Sequence, residues 1–337
     1  MSSPAERRAL AEHVRRFAGL RVAVWGDLVA DEFIYGEIAR VSREAPVLIL
    51  KHREERVAPG GGANAAANLA ALGCRVRLAG VVGADAAGSA LLARLAAAAV
   101  DVRGVPRLRG WRTPAKTRLL AGHAHTARQQ VIRLDREPAA APPAAVQNRL
   151  RRRAEALARA GFALLLSDYG YGAVSPALAR ALRHGLAPGG KKPIVTVDSR
   201  YRLSDYGGLT AATPNEPEME EIFHQPIGDN LARLEQNGRR LLTRLGCRWL
   251  LVTRGRDGVA LFAPRRPTRQ WPVFGSAPAV DTTGAGDTVI AVFTAALAAG
   301  ADGPAAAQLA NIAGGLVVMK PGTATVSAAE LLQALDA

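Results

Sequence analysis

Residues 281–287 read DTTGAGD and run straight into the apolar stretch TVIAVFTAALAA (288–299). Gly284 and Gly286 let the backbone turn tightly and approach a ligand, because no Cβ intervenes. The apolar run reads as a buried helix, so the N–H groups of residues 284–287 stand at a helix start and point at an anion. Asp287 then lies beside that anion. Two readings stand together here. An acid in a first turn is favourable in any helix, as a cap or against the dipole. A carboxylate beside an anion hole is also what phosphoryl transfer to a hydroxyl needs. The carboxylate takes the acceptor's proton while the N–H groups stabilise charge on the transferring oxygens.

Outward from this motif, short β-rich runs alternate with Ala/Leu-rich helical ones. RVAVWGD (21–27), RVRLAGVVG (75–83), FALLLSD (162–168), PIVTVDS (193–199) and WLLVTRG (249–255) read as strands. ANAAANLAALG (63–73), ended by Gly73, and SALLARLAAAAV (89–100) read as helices, as does the polar, amphipathic N-terminal stretch. Such alternation predicts a mostly parallel sheet covered on both faces. The strands end in Asp27, Asp168, Asp198 and Arg254. Ligands of open parallel sheets bind outside the carboxyl ends of the strands. Two segments break the pattern: 33–57 has no helical period, and 117–135 reads as strand, turn, strand. Together they predict a small inserted sheet acting as a lid over the site, formed by about 33–57 and 112–135. Residues 136–147 read as a Pro/Ala connector, and the whole chain, 1–337, as a single domain.

The bulk composition fits this. Half of the 337 residues are hydrophobic and 22% are charged, which supports a packed core and argues against disorder. Lys and Arg exceed Asp and Glu, 44 to 29. That excess suits anionic ligands, either nucleic acid or phosphorylated metabolites. Aromatics are few, at 5%, and no RNA-binding or zinc-finger pattern occurs, so nucleic acid is not expected as a partner. Cys74 and Cys247 lack metal-ligand spacing and read as free core thiols of a cytoplasmic protein. The uncharged run between Asp287 and Asp302 is too short to span a bilayer, and the N-terminus does not read as a signal peptide.

Four further stretches carry chemistry. In APGGGANAAANLAALG (58–73), Gly60, Gly62 and Ala65 match a dinucleotide fingerprint, with Asp85 at about the distance of a ribose contact. No buried strand leads directly into that turn. It reads better as a Gly-rich loop opening a helix, with Asn64 and Asn68 one turn apart, and Asn64 either on a sugar hydroxyl or capping. In GDLVAD (26–31), Asp27 and Asp31 could hold vicinal hydroxyls or could cap. In TPNEPE (213–218), Glu218 could hold Mg²⁺ through water, or Asn215 and Glu218 could form a capping box. In VTRGRDG (252–258), Thr253, Arg254 and Gly255 could lie along nucleotide phosphates, or RDG could be a hairpin turn. No P-loop, serine-nucleophile or metal-histidine spacing occurs.

DTTGAGD, GGGANAAANLAALG and TPNxxE together resemble the ribokinase-like (PfkB) carbohydrate kinases, over about residues 20–330. The resemblance implies a three-layer α/β/α sandwich with a mostly parallel central sheet and a small inserted β-sheet lid. It implies ATP and Mg²⁺, leaves a monovalent cation open, and implies a homodimer joined through the lid. By this resemblance Asp287 is the catalytic base, and Gly284, Ala285 and Gly286 form the anion hole. Asn215 and Glu218 serve the Mg²⁺–phosphate region, and Thr253, Arg254, Gly255 and Asp281 serve the nucleotide. Asp27, Asp31, Gly61, Gly62 and Asn64 hold the sugar, with Lys116, Arg133 and Asp135 reaching toward it from the lid.

VSREAPVLILK (41–51), IRLD (132–135), LLLSDYGYG (164–172) and ANIAGGLVVMKPGTATVS (310–327) are similar to kinases of D-glycero-β-D-manno-heptose 7-phosphate. That similarity implies transfer of the ATP γ-phosphoryl group to O1, giving the 1,7-bisphosphate, in lipopolysaccharide or ADP-heptose precursor synthesis. At 337 residues the chain resembles the stand-alone form rather than a fusion with a nucleotidyltransferase. It departs from that group at Arg43 (usually Pro), Tyr171 (Lys) and Asp198-Ser199-Arg200 (D-P-K). The other readings are a kinase of ribose, fructose or fructose 6-phosphate, an NAD-dependent oxidoreductase using Gly60–Ala65, and a silent sugar sensor.

Overall fold

The computed structural model describes residues 3–122, 129–186, 192–275 and 278–336. In chain order come helix α1 (Pro4–Arg15), strands β1 (Arg21–Gly26), β2 (Leu28–Val41) and β3 (Leu48–Gly61), helix α2 (Gly62–Ala71), strands β4 (Arg75–Ala79) and β5 (Val82–Gly83), and helix α3 (Ala86–Ala97). Strands β6 (Arg107–Leu108), β7 (Ala115–Gly122) and β8 (Gln129–Arg136), helix α4 (Ala144–Arg159), strand β9 (Ala163–Asp168), helix α5 (Pro176–Gly185) and strands β10 (Val195–Ser199) and β11 (Ala211–Ala212) follow. The chain closes with helices α6 (Glu216–Phe223) and α7 (Leu231–Leu245), strands β12 (Trp249–Thr253), β13 (Val259–Phe262) and β14 (Arg269–Trp271), and helices α8 (Ala285–Ala298), α9 (Gly303–Val317) and α10 (Ala328–Asp336).

The large sheet has the order β4-β1-β9-β10-β11-β12-β13-β14. It is parallel from β4 to β12, and β13 and β14 continue it antiparallel. Its strands are apolar on both sides because both sides are covered. In β1, Val22 and Val24 enter one core cluster while Ala23 and Trp25 enter the other. The first cluster holds α1, α2, α3, α8, α9 and α10, and the second holds α4, α5, α6 and α7. This is the three-layer α/β/α arrangement expected of the alternating pattern.

A second sheet has the order β3-β2-β7-β8, with its central pair β2–β7 parallel and the outer pairs antiparallel. It is the inserted sheet expected from 33–57 and 117–135. Its first two strands are longer than that pattern showed, running from Leu28 and to Gly61. The turn expected between β7 and β8 falls at 123–128, outside the described residues. One strand was read too long: RVRLAGVVG divides at Gly80, and Val82–Gly83 pairs with Arg107–Leu108 in a separate two-stranded ladder. At Gly80 an added Cβ would lie 2.7 Å from Leu28 Cγ, so the chain there packs too closely for a side chain. Strands β13 and β14 had no counterpart in the sequence reading.

Candidate active site

Helix α8 packs against β9, β10 and α2, and Tyr169, just beyond the carboxyl end of β9, bonds Asp287 in its first turn. Gly284 is the N-cap of α8 in a left-handed conformation, φ 78°. An added Cβ there would lie 2.4 Å from Asn64 Nδ2, so the position requires glycine twice over. The Ala285 N–H donates to the Thr282 carbonyl at 3.2 Å. The Gly286 and Asp287 N–H groups have no acceptor among the described residues, which leaves a donor pair at a helix N-terminus. Asp281 closes the turn: its carboxylate accepts from the Thr283 N–H (2.8 Å) and from the Gly322 N–H (2.9 Å).

Asp287 is buried, and its carboxylate does not cap α8. Oδ2 accepts from Asn64 Nδ2 at 3.0 Å, and Oδ1 accepts from the Tyr169 hydroxyl at 2.9 Å. Burial pushes its carboxyl up to about 7, while the bonds from Asn64 and Tyr169 hold it down. Asp31 nearby adds to the rise and Lys116 opposes it. A carboxylate of that character, beside free N–H donors, is suited to accept a proton near neutral pH.

The small sheet supplies the opposite wall. Its register sets Asp31 beside Lys116 and Lys116 beside Asp135, and Phe33 beside Arg118 beside Arg133, so these six share one face. Asp31 is buried, paired with Arg118 at 2.6 Å and bonded by the Thr323 hydroxyl at 3.1 Å. An added Cβ on Gly60 would lie 2.6 Å from the Asp31 carboxylate, which explains the glycine. Lys116 is half-buried, its ammonium 5.4 Å from the Tyr169 ring centroid. Burial lowers its pKa, and the Arg200 and Arg133 charges lower it further, against Asp31 and Asp135. Arg133 and Asp135 pair with each other at 2.8 Å on the exposed edge.

On the far side of Asp287, β12 and the start of α6 come together. Asn215 bridges to Thr253, whose N–H donates to the Pro214 carbonyl at 3.0 Å. Asn215 and Glu218 form the capping box: Asn215 Oδ1 accepts from the Glu218 N–H at 2.8 Å, and Glu218 Oε2 accepts from the Asn215 N–H at 3.0 Å. Burial raises the Glu218 carboxyl, and Asp198, at the end of β10, is raised well above its ordinary value by burial and then by Glu218 and Asp287. Arg200 tempers both. Two buried carboxyls, Glu218 raising Asp198, are a donor pair that a divalent cation would relieve, so the residues present fit Mg²⁺.

Three residues expected at ligands also hold partners within the protein. Asp27 faces inward, and its carboxylate accepts the N–H groups of Tyr169 (2.9 Å), Tyr171 (3.0 Å) and Ala173 (2.9 Å). It anchors the loop after β9. Asn64 is bonded on both ends of its amide. Its Nδ2 is taken by Asp287 and the Gly284 carbonyl, and its Oδ1 by Asn68 at 3.1 Å. Arg254 is buried and paired with Glu216 at 2.8 Å within a tight β12–β13 hairpin. Gly255 is exposed beyond it, with φ 53°. Gly61, φ 55°, and Gly62 line the floor, the first against the Tyr169 ring at 3.1 Å from an added Cβ, the second donating to the Asp27 carbonyl at 3.0 Å.

The dinucleotide reading is overturned as well. The glycines end β3 of the small sheet rather than a parallel strand. Asp85 caps α3 and binds Thr113 through its N–H (2.8 Å) and hydroxyl (2.7 Å), which leaves nothing for a ribose. Tyr169, Arg118 and Thr323 had no assigned role in the sequence reading. Tyr169 and Thr323 lie within the stretches 164–172 and 310–327 that carry the resemblance, while Arg118 has no local signal.

The sequence profile of the pfkB family carbohydrate kinases matches residues 21–330. The chain belongs to that family. It is therefore a carbohydrate kinase, an ATP-dependent phosphotransferase with a hydroxyl acceptor. Among curated relatives, the bifunctional protein HldE of Desulfatibacillum aliphaticivorans is 39% identical over 94% of the kinase and 63% of the relative. HldE of Mesorhizobium japonicum is 37% identical over 99% of the kinase and 65% of the relative. The kinase thus spans just under two thirds of the length of these relatives. Solved structures share its fold. Phosphofructokinase-2 from Escherichia coli in complex with potassium superposes with TM-score 0.74, 18% identity, 94% of the kinase and 98% of that chain. Ribokinase from Arabidopsis thaliana complexed with ribose and ATP gives 0.71, 21%, 94% and 99%.

Proposed function

We propose that this kinase phosphorylates the anomeric hydroxyl of a phosphorylated heptose, D-glycero-β-D-manno-heptose 7-phosphate, to give the 1,7-bisphosphate. The observation that carries the chemistry is the buried Asp287 carboxylate beside the unpaired Gly286 and Asp287 N–H groups. The similarity to HldE proteins supports the sugar.

In this reading the acceptor's O–H approaches Asp287, which takes the proton as the hydroxyl oxygen forms its bond to the γ-phosphorus. The bond from that phosphorus to the ADP oxygen breaks, and ADP leaves. The N–H groups at the start of α8 receive the developing charge on the transferring oxygens. Asn215, Thr253 and Gly255 line the nucleotide side, and Glu218 with Asp198 would hold Mg²⁺, partly through water. When bound, that ion would neutralise charge on the phosphates. Asp31, fixed by Arg118 and Thr323, accepts sugar hydroxyls. The small sheet is the lid: Lys116, Arg133 and Arg200 meet the remote phosphate from its side.

The other face of the small sheet carries Ile34, Leu119, Ile132 and Leu134, the last two exposed. A homodimer through that face would cover them. Cytoplasmic action on metabolites fits the chemistry. Among the described residues no helix is long and apolar enough to cross a membrane.

A second reading is another sugar or sugar phosphate, such as fructose 6-phosphate or ribose. One observation favours it: the Tyr171 hydroxyl donates to Glu137 at 3.0 Å, placing an acid–phenol pair where the heptose kinases carry a lysine. ADP release with a panel of heptose 7-phosphate, fructose 6-phosphate, fructose and ribose, in potassium and in sodium buffers, decides between them. Heptose 7-phosphate should lead in kcat/KM by at least tenfold. A lead by any other acceptor overturns the assignment of the sugar.

A further inference from the structure

The surroundings of Asp287 give a role to Tyr169. Tyr169 follows β9, and its hydroxyl is the donor on Oδ1 of Asp287 at 2.9 Å. It is held from three sides. Its N–H is bound by Asp27 at 2.9 Å, and its ring lies against Gly61, where an added Cβ would come within 3.1 Å. The Lys116 ammonium lies over the same ring. On the other oxygen, Asn64 is fixed by Asn68, whose own carbonyl oxygen accepts from the Thr288 hydroxyl and the Val326 N–H, both at 3.2 Å. The carboxylate is therefore gripped by two donors, each rigidly supported.

We propose that Tyr169 is a positioning residue of the transfer reaction: its hydroxyl, with Asn64 opposite, holds the Asp287 carboxylate in the one orientation that meets the acceptor hydroxyl. This rests on Asp287 being the base. Burial and then the Asp287 charge keep the phenol protonated, so it donates to the carboxylate and does not compete for the acceptor's proton. The charged groups facing Asp287 are Asp31 from β2, Lys116 from β7 and Asp198 from β10. Against the burial of the acid and the like charges of Asp31 and Asp198, the Tyr169 bond, with Asn64 and Lys116, favours the ionised, active form. Losing it costs orientation and moves the proton affinity upward together, two effects that a merely structural residue does not couple.

The test is Tyr169→Phe, which keeps the ring under Lys116 and removes only the hydroxyl. With ATP and the acceptor of highest kcat/KM, kcat should fall roughly 10- to 100-fold, with the KM for ATP within about twofold of wild type. The acid limb of the kcat–pH profile should move up by about one unit. A carbon-13 carboxyl titration of Asp287 should show the same displacement without any substrate. The melting temperature should stay within about 2 °C. Unchanged kcat and an unshifted titration overturn the proposal, as does a loss of activity matched by a loss of melting temperature. Asp287→Asn runs in parallel. Full turnover in that variant brings down the base reading and this proposal with it, whereas a dead Asp287→Asn beside a fully active Tyr169→Phe brings down this proposal alone.

Discussion

A carboxylate in water prefers to be charged, and Asp287 has been taken out of water. Its carboxyl is pushed up to about 7 from an ordinary 3.8, chiefly by burial. The folded state therefore binds a proton between those values that the unfolded state has released. Stability falls as pH rises from about 4 to about 7, and the full penalty stands above that. Asp287→Asn removes it. That variant should melt higher than wild type at pH 8, by an amount on the order of 1 kcal/mol or more, and show little gain at pH 4.5. Turnover should meanwhile drop by roughly a thousandfold or more, with ATP binding retained by calorimetry. Equal melting temperatures at pH 8 would show that burial does not strain this acid. Gly284→Ala tests the neighbouring turn. A Cβ at φ 78° and 2.4 Å from Asn64 Nδ2 displaces the side chain that donates to the Asp287 carboxylate. ADP release should fall at least about 100-fold, with roughly 1–3 kcal/mol lost from stability in urea titrations.

Among elements, the start of α6 is tied to the end of β12 by Glu216 and Arg254, both largely buried. Removing one partner leaves a buried charge alone. Arg254→Met should cost about 3–5 kcal/mol by chemical denaturation, and Glu216→Leu with Arg254→Met should recover most of that loss. The KM for ATP of the double variant separates the two roles of Arg254: within threefold of wild type if the arginine only braces the hairpin, raised tenfold or more if it reaches phosphate. Elements were also where the sequence was most and least readable. The strands β1, β9, β10 and β12 and helices α2 and α8 stood out, because buried strands and glycine-bounded helices carry their pattern locally. The break at Gly80 and the short strands β13 and β14 did not. Close packing against Leu28 and pairing onto a neighbouring strand leave no periodic mark.

At the scale of the whole molecule, the small sheet divides labour between its faces. One carries Asp31, Lys116, Arg118 and Arg133 toward the site, and the other carries Ile34, Leu119, Ile132 and Leu134 away from it. Exposed apolar faces of this kind are covered in stable proteins. Sedimentation should find a dimer, and Ile132→Lys should turn it into a monomer whose KM for the sugar rises more than its KM for ATP. A wild-type monomer at micromolar concentration would remove the dimer from the proposal.

The sequence by itself determined the family, the parallel sheet, the acid of DTTGAGD and the existence of an inserted sheet, since each rests on neighbours in the chain or on a period of two or of about four residues. The tertiary structure alone decided which partners each candidate site residue meets. Asn64 meets Asp287 across 223 positions and Tyr169 meets it across 118. Asp27 and Arg254, which looked equally fit for ligands, face inward to a loop and to Glu216. A side chain's type limits the bonds it can make, but only the packed fold decides which partner it meets once water is excluded.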